Sequence, residues 1–158
     1  MSLEAIIDEF ERSDSIPTSI IDAIENDPDV RHQLAVYFSK YKNRNFVLAL
    51  LDTLTFMRKD PGSEVSGDSL MLACYLLGKH GQIEDCMKIW ETKTIDFDTY
   101  CYIDIQLLPF AGVQKTIDYL KTQTTDDAKR ALEYVIASSK ANDFKNLEQY
   151  YKETPWFI

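Results

Sequence analysis

The sequence predicts an all-α protein built from antiparallel helical hairpins, and three observations predict it. Apolar residues recur at three- and four-residue steps through most of the chain, the spacing that lines one face of a helix. Turn-forming residues fall near positions 43, 81, 111 and 142, the last three separated by 30 and 31 residues, a period that suits stacked helix pairs. No run alternates apolar and polar residues long enough for a sheet. The one stretch rich in β-formers, Tyr100 to Leu107, lies between hairpins and reads as helix.

The first helix is expected over Leu3 to Arg12, with Leu3, Ile6, Ile7 and Phe10 on one face and acidic residues elsewhere. Ser13-Asp14-Ser15 ends it. Pro17 suits the first turn of a second helix reaching Glu25. Asp27 is placed to cap a third, with Pro28 its first residue and Val30, Leu34, Tyr37, Phe38 and Tyr41 its apolar stripe. After the corner Lys42-Asn43-Arg44, a fourth helix carries Phe46, Val47, Leu50, Leu51, Leu54 and Met57.

Asp60-Pro61-Gly62-Ser63 opens the one clear loop, residues 60–66. The chain of 158 residues reads as a single all-helical domain, 1–158, with that loop as the place for any subdivision.

Further on, Asp96 or Asp98 is expected to cap a helix reaching Leu108, with Pro109 ending it and Gly112 opening the next turn. Val113, Thr116, Ile117 and Leu120 carry the helix that follows. Thr124 with Asp127 three positions later has capping-box spacing. A long helix from Ala128 to Ala141 turns at Asn142-Asp143 into another from Phe144 to Glu153. The tail Pro155-Trp156-Phe157-Ile158 is apolar and is expected to dock.

The centre of the chain, Leu70 to Trp90, holds a helix, a corner at Gly81 and a second helix. Small residues, Cys74 and Cys86, stand where two helices touch, and Trp90 follows Cys86 at a four-residue step. Cys74, Gly81, Cys86 and Trp90 together resemble one tetratricopeptide-type repeat. Leu77 stands where that family usually has tyrosine, and no proline ends the second helix. The resemblance implies hairpins stacked as a short right-handed α-α superhelix with a protein-binding concave surface.

Composition narrows the function classes. Seventeen basic residues against 26 acidic give a net charge of −9, which repels phosphate backbones and suits a basic partner. The longest uncharged apolar run, Leu70 to Gly78, is about half of the roughly 20 residues a membrane span needs. The N-terminus has no basic start or apolar block, so no signal peptide is read there. Three cysteines suit reduced thiols and a cytoplasmic location.

No catalytic motif is found, and no enzymatic activity, cofactor or metal is expected. Cys74, His80 and Cys86 lack zinc-ligand spacing and a fourth ligand. His80 ends a helix and reads as a surface residue favoured by the helix dipole.

The candidate interaction surface is aromatic. Tyr100 and Tyr102, Tyr150 and Tyr151, and Trp156 beside Phe157 cannot all point inward, because neighbours on a helix differ by about 100°. Tyrosine and tryptophan are enriched at interfaces. Asp104, alone in a nearly uncharged run, is expected either to be held by a structural partner or to face a groove.

The sequence therefore reads as a non-catalytic protein-interaction module whose partner is a protein or peptide, a basic one suiting its charge, with self-association left open. A small acidic immunity- or inhibitor-type protein is the alternative. RNA binding is a second alternative, because Asp98-Thr99-Tyr100 and a later glycine are similar to a pentatricopeptide unit. That family reads RNA on a basic face, and this acidic chain departs from it, so neither a nucleic acid nor a membrane is expected as partner.

Overall fold

A computed structural model describes residues 2–158. Among them the chain forms ten α-helices and two short 3₁₀ turns, with no strand. It divides into two compact units, Met1–His80 with Phe157–Ile158, and Gly81–Trp156. The 60–66 loop lies inside the first unit.

The first unit holds α1 (Leu3–Ser13), α2 (Thr18–Asn26), α3 (Pro28–Lys40), α4 (Arg44–Arg58) and α5 (Gly67–His80). Asp27 accepts a hydrogen bond from the Asp29 amide at 2.9 Å and starts α3 at Pro28. Asn43 does the same for α4, accepting from the Phe46 amide at 3.0 Å. Both caps satisfy amides that the first turn of a helix leaves without a carbonyl.

The expected stripes of α1 to α4 are buried except at four positions, of which Leu3 and Tyr37 are half-buried. Tyr41 is 58% exposed, because α3 stops at Lys40 and leaves it outside the stripe. Met57 is half-buried.

α5 is buried on every side from Ser69 to Gly78, which exceeds the single face expected of it. Within its unit it packs most extensively on α4 and then on α3. Phe157 meets its Tyr75 edge-on at 6.2 Å. An all-apolar helix of this kind is a core element and has no water-facing stripe.

His80 at its end is not a free surface imidazole. Its Nε2 accepts from the Asn43 amide at 3.2 Å while Nδ1 lies 2.8 Å from the Leu76 carbonyl, so Nδ1 carries the proton. The residue ties the end of α5 to the start of α4 and tilts against Phe38 at 5.9 Å.

The second unit holds α6 (Cys86–Lys93), α7 (Phe97–Tyr102), α8 (Val113–Lys121), α9 (Asp126–Lys140) and α10 (Leu147–Lys152). Gly81 takes φ +75°, the left-handed conformation that glycine adopts at little cost. A 3₁₀ turn over Ile83–Asp85 then precedes α6, where a continuous helix from Gln82 was expected. The principal pair is α8 with α9, joined over 122–125. Thr125, one residue later than expected, caps α9 by accepting from the Ala128 amide at 3.2 Å.

Two other helices are shorter than their periodicity implies. α7 ends at Tyr102 and not at Leu108. Only Leu147–Lys152 of the expected 144–153 helix forms. Among the described residues no helix is long and apolar enough to cross a membrane.

Candidate functional site

The site is built on α7. Asp96 accepts from the Thr99 amide at 2.8 Å and its own amide donates to Thr99 Oγ1 at 3.1 Å, a reciprocal cap. Thr99 is thereby turned inward and is only 2% exposed. Phe97 and Cys101, each two positions away and so about 200° round the helix, must then point outward. Phe97 is 79% exposed, and Cys101 is exposed too.

The end of α7 is held by Lys93, which is 3% exposed. Its ammonium donates to the Tyr100 carbonyl at 2.7 Å and to the Ile103 carbonyl at 2.6 Å. It also stands 5.2 Å from the Tyr100 ring centre and 5.6 Å from that of Tyr134. The cation thus holds one carbonyl in the last turn of α7 and one at its C-cap, at the point where the helix ends. The Tyr134 ring also meets Trp90 at 5.3 Å and Tyr100 at 5.9 Å.

Just past this point Asp104 gathers the end of the unit. Its Oδ2 accepts from the Tyr150 hydroxyl at 3.0 Å and from Trp156 Nε1 at 3.2 Å. Tyr151 donates towards the Leu107 carbonyl at 3.3 Å and the Gln106 carbonyl at 3.4 Å. The Tyr150 and Tyr151 rings meet edge-on at 5.3 Å. Tyr102 meets Trp156 in the same way at 5.9 Å.

Of the six residues expected at the surface, five therefore come together: Tyr102, Asp104, Tyr150, Tyr151 and Trp156. Tyr100 is drawn instead into the Lys93 and Tyr134 cluster. Asp104 has a structural role, as the anchor of α10 and the tail. Both Tyr150 and Tyr151 are half-buried, while Trp156 stays 63% exposed and Tyr102 44% exposed. The docking expected of the tail is divided: Pro155 and Phe157 are buried and Trp156 faces out.

Sequence reasoning missed Phe97 and Lys93. The inward turn of Thr99 was readable from the Asp96 and Thr99 spacing and would have placed Phe97 outside. Nothing local distinguishes Lys93 from a solvated lysine, because its acceptors lie seven and ten residues ahead.

The thiols divide by burial. Cys74 and Cys86 are buried, and Cys101 is exposed. Burial first, and then the Asp85 and Glu84 carboxylates, push the Cys86 thiol up to about 12. A disulfide reagent at pH 8 is therefore expected to react quickly with Cys101 alone and with all three thiols only after unfolding. Fast loss of two thiols in the native protein would contradict this.

The sign for stability follows from the same shift. The folded chain holds the Cys86 proton more tightly than the unfolded one. Its contribution is complete below the ordinary thiol value of about 9 and disappears as pH rises through about 12. Tyr134, also raised to about 12, mainly by burial, acts in the same direction.

No family model, no curated protein and no solved structure matches this chain. What the fold and site define is an all-helical protein with an exposed, internally braced aromatic surface.

Proposed function

We propose that the chain is a non-catalytic, cytoplasmic protein-binding module that meets its partner through Trp156, Tyr102 and Phe97. The observation that carries this reading is the treatment of Trp156. A ring 63% exposed is nevertheless held in one place, by its N–H on Asp104 and by the Tyr102 ring. Exposed aromatic side chains lose little entropy on binding when they are already ordered, and such residues dominate interface energies. The tetratricopeptide-like superhelix belongs to the same proposal and rests on the pattern Cys74, Gly81, Cys86 and Trp90.

The test compares affinity capture of cellular proteins by the natural chain and by a Tyr102→Ala/Trp156→Ala variant. A partner held by the natural chain is expected to bind the variant about a hundredfold more weakly, roughly 3 kcal/mol across two hot-spot residues. Unchanged far-UV circular dichroism would show that the variant folds. Equal capture by both proteins would remove this surface as the binding face.

A further inference from the structure

The first unit carries a second surface of different chemistry. A groove of about 1010 Å³ runs between α2, the end of α4 and the loop that follows. Its apolar part is Ile21, Phe56, Met57, Pro61 and Val65, of which Phe56 is 78% exposed and Ile21 is buried. Asp22, Glu25, Asp60 and Glu64 line it together with Lys59, and Arg58 stands beside the same loop.

The groove is built into the fold. The Glu25 carboxylate accepts from the Ser66 amide at 3.1 and 3.2 Å, Asp60 accepts from the Gly62 amide at 2.9 Å, and Arg58 donates to the Val65 carbonyl at 2.9 Å. These bonds set the loop that forms one wall.

We infer that this groove docks a basic segment of a partner protein, with one apolar side chain laid on Phe56 and Met57 and lysines or arginines facing Asp22, Asp60 and Glu64. Charge complementarity selects the occupant. The walls are acidic in a chain of net charge −9, so an acidic segment is repelled, and a segment without an apolar anchor leaves Phe56 in water. The inference rests on the protein-binding reading and adds a chemically defined face to it.

The probe is a fluorescein-labelled peptide of lysines with leucines at helical spacing. Two control peptides carry glutamate for lysine or serine for leucine. Fluorescence anisotropy at low salt is expected to show binding of the first peptide alone. An Asp22→Asn/Asp60→Asn/Glu64→Gln variant and a separate Phe56→Ser variant should each weaken it about tenfold or more, which is about 1.4 kcal/mol. Asp22, Asp60, Glu64 and Phe56 are all exposed, so urea midpoints close to that of the natural chain are expected and confirm folding.

Binding unchanged in either variant overturns the inference, as does equal binding of the glutamate peptide. Self-association of the chain that Phe56→Ser abolishes also overturns it, by making a second copy the occupant. If the Tyr102→Ala/Trp156→Ala variant loses the peptide instead, the groove fails while the protein-binding reading stands. If the groove variants lose the peptide and the aromatic variant still captures its cellular partner, the groove stands and the aromatic face fails.

Discussion

Replacing Phe46 with alanine is expected to destabilise the fold by about 3–5 kcal/mol, the range for removing a fully buried phenylalanine. Phe46 has no exposed surface. Its ring takes the edge of Phe10 at 5.1 Å and stacks on Phe38 at 5.4 Å, so one side chain joins α1, α3 and α4. Truncation removes apolar burial and two ring contacts together, and three separate helices would have to shift to close the cavity. Urea unfolding followed by far-UV circular dichroism measures the loss. A change below about 1 kcal/mol would show that the three helices do not depend on this ring.

The helical fold class was readable because it depends on spacing, and spacing is local. Val30, Leu34 and Phe38, or Phe46, Leu50 and Leu54, are separated by the steps that a helix puts on one side, and they are buried as expected. Caps with short reach were equally readable at Asp27 and Asn43.

Features whose partners lie far along the chain were not readable. Periodicity carries α7 on to Leu108, but the helix ends where Lys93 holds the carbonyls of Tyr100 and Ile103. His80 looks like a surface helix end until Asn43, 37 residues earlier, supplies an amide to it. Five of the six residues singled out by type, Tyr102, Asp104, Tyr150, Tyr151 and Trp156, lie together in the fold. Their geometry was not readable, because Asp104 meets Tyr150 and Trp156 across 46 and 52 residues.

The buried lysine gives the sharpest test of the second unit. Lys93→Met keeps most of the side-chain volume and removes the charge, with an expected cost of about 3 kcal/mol. That figure follows from two hydrogen bonds from a charged donor, each worth about 1.5–3 kcal/mol, less the desolvation that an ammonium no longer suffers. The Tyr100 and Ile103 carbonyls would lose their buried donor, and the Tyr100 and Tyr134 rings their cation. Both tryptophans, Trp90 and Trp156, lie in this unit, so tryptophan fluorescence reports on it. The urea midpoint seen by fluorescence should fall by roughly 1–3 M. Lys93→Arg keeps the charge but places a wider, planar head between the same carbonyls, and it should recover only part of the loss. A midpoint within a few tenths of a molar of the natural chain for Lys93→Met would mean that apolar packing alone holds α7.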